Sequence, residues 1–366
     1  MVKVLVMGGT RFNGLALVHE LAKWGHEVTV LNRGQSNAQL PRSVRRVYAD
    51  RTDHGQLREA LGPEEFDVVQ DVSGYALADV QPLVELLRGR IGHYIFASST
   101  VIYAKARVLP IREADPVDRS ERQTEYGNQK LKVEAYLFEQ YRTNGFPASV
   151  VPFSMVLGPN NIIADREQRM FQRLLLGRPV LIPGDGTTLS QIGHVDDGGA
   201  AMRMMMMQPQ TFGKRYNLTG RDYWSDETYV DVCAELAGVT PRKIFVPAQV
   251  MDEIYAGQEE QGAIRQGLPR MSQSGDSAAA TITQRDPRMV DVRGLIQRLA
   301  PNIHHWNDST FFSIERLRED VGFWPAYTFE TAMEQTYDWF RREKLDESLQ
   351  FDFSWEDNLI KRLGAQ

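Results

Sequence analysis

The chain has 366 residues, 42% of them hydrophobic and 25% charged, with 42 Lys and Arg against 48 Asp and Glu for a net charge of −6. This is the composition of an ordinary globular protein of about two domains; it argues against disorder over most of the length and gives no general electrostatic pull toward nucleic acid or an anionic membrane. The single cysteine, Cys233, excludes an internal disulfide and a multi-cysteine metal cluster, no apolar run reaches membrane-spanning length, and Met1 leads directly into Val2–Met7 with no room for a secretory leader, so a cytoplasmic location without a membrane partner is expected.

From Val2 to about Val151, short β-branched runs alternate with amphipathic helical segments: KVLVMG, LALVHELAKWG, EVTVLNRG, VRRVYAD, DVVQDVSG, VQPLVELLRGR, HYIFASST, QKLKVEAYLFEQYRTNG and ASVVPFS. That alternation predicts an α/β fold with a doubly wound parallel sheet. Ligands of such sheets lie at the carboxyl ends of the strands, where this chain carries Gly8, Asn32, Asp50, Ser73, Ser98 and Ser99.

Beyond residue 152 the loops lengthen and helices recur in AMRMMMMQ, ETYVDVCAELAG, ERLREDVG and ETAMEQTYDWFRREK. The expected division is a dinucleotide-binding domain over 1–152 and, over 153–366, mostly a smaller substrate-binding lobe with some segments returning to the first sheet. The methionine-rich run from Met202 to Met207 is assigned to core packing, and Cys233 to a small core position on a helix. Residues 251–308, rich in Gly, Ser, Pro and charge, read as a lid or insert. His304 and His305 are adjacent but lack a clear third partner, so no metal is expected.

The first strand, the turn Gly8-Gly9-Thr10-Arg11-Phe12-Asn13-Gly14 and the following helix form the opening of a dinucleotide-binding βαβ unit. Glycines let the backbone approach a diphosphate, and the helix N-terminus offers free N–H groups and a positive dipole end. Arg11 takes a middle position that is glycine in the commoner GxxGxxG form, and its assigned role is to lie over the phosphates. The second strand ends in Asn32-Arg33 instead of an acidic residue, which tilts the cofactor from NAD toward NADP: Arg33 can bind a 2′-phosphate, or stack on adenine and leave NAD acceptable.

Tyr126 and Lys130 are four residues apart at the start of a helix and share one face. There the Lys130 ammonium is expected to lower the Tyr126 pKa toward neutrality, making the phenol a working acid or base. Ser99, at the end of the preceding strand, is expected to hold the substrate oxygen.

GGTRFNG, DVVQDVSG, FASSTVIY, YGNQK, LGPNN, IGHVDD and ERLREDVGFWPAYTFETAMEQT together resemble the extended short-chain dehydrogenase/reductase superfamily, in its NAD-dependent epimerase/dehydratase group. GGTRF, SQIGHVDD and the last stretch look most like the branch that holds chloroplast stem-loop RNA-binding proteins and their bacterial relatives. The resemblance implies a Rossmann-type fold and a Tyr126, Lys130 and Ser99 triad, with Lys130 also on the nicotinamide ribose. It further implies Asp50 near the adenine amino group, Val72, Ser73 and Gly74 along the adenosine wall, and Phe153 near the carboxamide. Thr10, Phe12, Asn13, Arg51 and Ser98 complete the expected cofactor contacts. A homodimer through VQPLVELLRGR and KLKVEAYLFEQY is also a family expectation.

Three departures bear on the substrate. Nucleotide-sugar relatives carry Arg-Pro-x-Asn before Tyr-Gly-Pro, where this chain has Pro152-Phe153-Ser154-Met155. They place an arginine for the diphosphate where Ser190 stands, leaving Arg166, Arg169, Arg173 or Arg178 as replacements. Family dehydratases use an Asp-Glu pair where this chain has Thr100-Val101, which disfavours that elimination. His194 and Asp196 are assigned to holding their loop together. The expected activity is that of an NAD(P)-dependent sugar or nucleotide-sugar epimerase. Its alternatives are an NADP-dependent reductase or dehydrogenase of a sugar-like or polyol substrate, and an RNA-binding protein that retains the fold.

Overall fold

The computed structural model describes residues 1–121, 123–163, 166–260 and 305–364. The strands β1 (Lys3–Met7), β2 (Glu27–Asn32), β3 (Arg45–Tyr48), β4 (Phe66–Asp71), β5 (Ile91–Ser99) and β6 (Ala148–Phe153) form one parallel sheet in the order β3-β2-β1-β4-β5-β6. Helices α1 (Phe12–Lys23), α2 (His54–Leu61), α3 (Leu77–Leu87) and α4 (Glu125–Asn144) connect them. Val4, Leu5 and Val6 of β1 are fully buried, as expected of a central strand covered on both faces. The strand order reverses beside β1, so the crevice for a ligand opens at the carboxyl ends of β1 and β4. There the Val72 N–H donates to the Met7 carbonyl at 3.2 Å.

The chain divides into two compact units. The first takes Met1–Val156, Gly193–Gly220 and Phe312–Ala326 and contains the whole six-stranded sheet. Its helix α5 (Val195–Met204) packs against α1, and Met202, Met205 and Met206 are buried in the same apolar cluster as Val4, Val6 and Leu17. Most of the methionine run thus fills core. The helix nevertheless ends at Met204, and Met207 adopts φ +56° on the surface.

The second unit takes Leu157–Ile192, Arg221–Phe311 and Tyr327–Gln366. It holds a parallel strand pair, Val180–Pro183 with Lys243–Val246, and an antiparallel pair, Leu189–Ser190 with Trp224–Ser225. Cys233 is buried in its helix α6 (Asp226–Ala237). Of the segment read as a lid or insert, 261–304 lies outside the described residues, and so does His304. Among the described residues no group of three His, Cys, Asp or Glu is placed to hold a metal ion, and no helix is long and apolar enough to cross a membrane.

Candidate functional site

The turn after β1 leaves no room for side chains at its glycines. Gly8 has φ +107°, and a Cβ there would stand 3.1 Å from the Ser73 Cβ; one on Gly14 would stand 2.8 Å from the Gly9 nitrogen. Phe12 is buried and takes φ +40°, an uncommon conformation for a residue with a Cβ. No side chain caps α1, whose N-cap is the exposed Arg11, so its first N–H groups remain for an anion. The Thr10 carbonyl accepts from Ser36 Oγ at 3.3 Å. Asn13 Oδ1 and, at the end of β2, Asn32 Nδ2 are buried without a partner, an unusual state for polar atoms. Asn32 Oδ1 accepts from the Gly34 N–H at 2.7 Å, and Arg33 beside it is exposed. Free helix N–H groups, a close-approach turn and two orphaned amide atoms fit the diphosphate and ribose of a dinucleotide.

Farther along the edge the polar groups are already spoken for. Arg51 donates to both Asp71 carboxylate oxygens at 2.8 Å, to Ser73 Oγ at 2.8 Å and to the Asp79 carbonyl at 2.9 Å. Asp71 also accepts from Tyr94 Oη at 2.6 Å and from the Ser73 and Gly74 N–H groups. Burial pushes the Asp71 carboxyl up, but Arg51 and these hydrogen bonds hold it below the usual range. Arg51 and Ser73, named from the sequence as cofactor contacts, therefore brace the loop after β4. Asp50 directs Oδ1 to the Thr52 N–H and hydroxyl, which lower its pKa. Val72 packs against Gly8 and Gly14, and Phe153, buried at the end of β6, against Gly198.

α4 begins at the cap Thr124, whose hydroxyl accepts from the Gly127 N–H at 2.9 Å. This start sets Tyr126 and Lys130 on the sheet-facing side. Lys130 Nζ donates to the carbonyls of Gly74 at 2.8 Å and Ala97 at 2.7 Å, and lies 4.6, 5.4 and 5.6 Å from the ring centres of Phe96, Tyr75 and Tyr126. Burial brings its pKa down to about 8. The Ser99 side chain is near enough to Tyr126 to draw its pKa down, so the three residues named for chemistry lie near one another.

The direction of the Tyr126 shift corrects the expectation from spacing. Burial and the neighbouring Tyr75 push the phenol above its ordinary pKa, with Ser99 pulling against them. Proximity to Lys130 does not overcome desolvation, because the ammonium is turned toward two carbonyls. The arrangement presents Tyr126 as a protonated acid.

Reading along the chain missed Asp71, Tyr75, Glu134 and Arg215. Ser98 Oγ turns inward and donates to Glu134 Oε1 at 2.5 Å, and Glu134 is also bound by Arg215. The signal for Glu134 was available: it continues the four-residue spacing of Tyr126 and Lys130 on the same helix face.

In the second unit, the arginines named as replacement anchors are paired within the unit. Arg169 and Arg173 contact Glu356, Arg178 contacts Asp357 at 3.0 Å, and Arg166 lies 3.8 Å from Glu167. Ser190 is buried in the antiparallel strand pair. In the first unit, His194 caps α5, its Nδ1 accepting from the Asp196 N–H at 3.3 Å.

Residues 4–219 match the NAD dependent epimerase/dehydratase family. The chain is 33% identical over 249 residues to the chloroplast stem-loop binding protein of 41 kDa b of Arabidopsis thaliana, covering 64% of this chain and 63% of that protein. It is 27% identical over 225 residues to the 2′-dehydrokanamycin reductase of Streptomyces kanamyceticus, covering 60% and 62%. The matches thus span less than two thirds of the length of these curated relatives. The structure of a UDP-glucose 4-epimerase with UDP-glucose from Thermotoga maritima shares the fold, with a TM-score of 0.68 at 17% identity over 93% of this chain and 99% of that one. The chain belongs to the NAD dependent epimerase/dehydratase family.

Proposed function

We propose that this family member is an NAD(P)-dependent epimerase of a sugar or nucleotide sugar that works on a secondary alcohol through Tyr126, Lys130 and Ser99. The observation that carries the reading is the gathering of these side chains: the Lys130 ammonium 5.6 Å from the phenol ring centre of Tyr126, with the Ser99 side chain near enough to draw the phenol pKa down. Tyr126 exchanges the hydroxyl proton of the substrate, Ser99 orients that oxygen, and Lys130 supplies fixed positive charge beside the phenol. A nicotinamide dinucleotide held along the edge supplies the hydride acceptor and, for epimerisation, the donor that returns it.

The turn from Gly8 to Gly14, the α1 N-terminus and Arg11 would hold its diphosphate, with Asn32 on the adenosine ribose. Asp50 would face the adenine, Val72 and Gly74 would line the ribose wall, and Phe153 would lie near the carboxamide. An exposed Arg33, with no carboxylate at the end of β2, favours NADP. The likeness to a UDP-glucose 4-epimerase makes UDP-glucose the first substrate to try.

A reductase of a sugar-like substrate is the second reading. It is supported by the acid form that burial imposes on Tyr126 and by the similarity to the Streptomyces reductase. Both readings require the phenol. Tyr126→Phe is expected to lower turnover of a UDP-sugar or polyol panel by about 10²- to 10⁴-fold with dinucleotide binding unchanged. Retained turnover would refute the assignment. Salt-sensitive retention of stem-loop RNA by a preparation that takes up no dinucleotide would point instead to a nucleic-acid-binding protein.

A further inference from the structure

The Lys130 ammonium has one carbonyl acceptor inside the sheet and one outside it. The Ala97 carbonyl, 2.7 Å away, belongs to β5, where the pairing of Ala97 with Val151 of β6 fixes the strand. The Gly74 carbonyl, 2.8 Å away, belongs to the short loop between β4 and α3. A loop carbonyl can turn aside by rotation of its peptide, and a glycine opposes such rotation least. Lys130 therefore keeps this second bond only while the Gly74–Tyr75 peptide is held.

It is held from its other edge. The Tyr75 N–H, part of the same planar unit as the Gly74 carbonyl, donates to Asp79 Oδ2 at 3.0 Å. That oxygen also accepts from the Ala76 N–H at 2.9 Å, the ordinary reach of an acid in the first turn back to the cap of its helix. Capping α3 requires only the Ala76 bond. The Tyr75 bond goes one residue further back and takes the peptide that Lys130 uses. Because the N–H and C=O of a trans peptide point in opposite directions, the carboxylate and the ammonium hold this one from opposite sides. The preceding peptide is fixed as well, its Gly74 N–H donating to Asp71 Oδ1 at 2.9 Å. Asp79 is anchored in turn, since its carbonyl accepts from Arg51 Nη2 at 2.9 Å. The held peptide leads into Tyr75, whose ring centre lies 6.2 Å from that of Tyr126.

We propose that Asp79 is a positioning residue for Lys130: it grips the Gly74–Tyr75 peptide by its N–H and so keeps the Gly74 carbonyl on the ammonium. The inference rests on the reading of Lys130 as part of the chemical machinery. Three variants separate this role from helix capping. Asp79→Ala removes both bonds, whereas Asp79→Asn keeps an oxygen with two lone pairs for the two N–H groups. Ala76→Ser/Asp79→Ala gives α3 a new hydroxyl cap and restores the helix start, but not the acceptor of the Tyr75 N–H. Asp79 is only half-buried, so none of these changes strands a charge in the interior.

The experiment follows hydrogen exchange of the Lys130 ammonium by NMR of protein carrying isotope-labelled lysine, with the signal assigned by its absence in Lys130→Met, and titrates each protein with NADPH in parallel. Loosening of the Gly74 bond is expected to speed that exchange about tenfold in Asp79→Ala and equally in the recapped double variant. In Asp79→Asn it should stay within about twofold of wild type. Unchanged exchange in Asp79→Ala, or slow exchange regained when the cap is restored, overturns the role of Asp79 and, with NADPH still bound, leaves the enzymatic reading standing. Failure of the wild-type protein to bind NADPH removes that reading and this inference with it.

Discussion

At the β1–β2 end of the sheet edge, Arg11 and Arg33 stand exposed beside a turn with free N–H groups. At the β4–β5 end, Arg51, Lys130 and Arg215 sit behind the surface, each bound to named acceptors. The contrast follows from desolvation. An exposed guanidinium keeps its hydration until a polyanion replaces it, so it can wait without a partner and costs the fold little. A buried cation persists only with acceptors around it, and that requirement fixes its position. The open end is suited to capturing a charged ligand, and the closed end to holding a phenol, a serine and an ammonium in one geometry.

The comparison is broken most severely at Asp71. Asp71→Asn leaves the Arg51 guanidinium in the interior without its charge partner, and a loss of about 3–5 kcal/mol in unfolding free energy is expected by urea denaturation. A loss below about 1 kcal/mol would show that the closed end is hydrated enough to tolerate a lone cation.

Lys130 sharpens the same contrast through pH. Its folded pKa of about 8 lies below the 10.5 of an exposed lysine. Between those values the unfolded chain binds a proton that the folded chain has released, so stability rises with pH across the window. Below pH 8 the burial cost is present in full, about 3 kcal/mol. The difference in unfolding free energy between wild type and Lys130→Met should change by that amount from pH 8 to 10.5, with the wild type gaining. A flat difference would mean that Lys130 is solvated.

The six-stranded sheet was legible because five of its strands carry a short apolar run, β3 with Arg45 and Arg46 being the exception, and α4 because Tyr126 and Lys130 mark its buried face. The glycine turn was legible because sterics alone dictate it. What escaped were groups whose meaning depends on distant partners. Arg51 reads along the chain as a cofactor contact, and its bonds to Asp71 and the Asp79 carbonyl are not visible there. Arg169 and Arg173 read as anion anchors until the C-terminal Glu356 folds against them. The Tyr126 shift took the wrong sign because spacing reports proximity to Lys130 but not the water removed from both. Glu134 shows the reverse case, in which the spacing was present and its strand partner, Ser98, was not visible along the chain.

The central claim is that this edge holds a nicotinamide dinucleotide, with the open end recognising its adenosine half. Titration with NADPH and NADH, read by nicotinamide fluorescence, tests it most directly when wild type and Arg33→Ala are compared. The account predicts saturable one-to-one binding of both, with NADPH tighter by about tenfold, roughly 1.4 kcal/mol, and that preference erased in Arg33→Ala while NADH binding is unchanged. Absence of saturable binding by either nucleotide to the wild-type protein would contradict it.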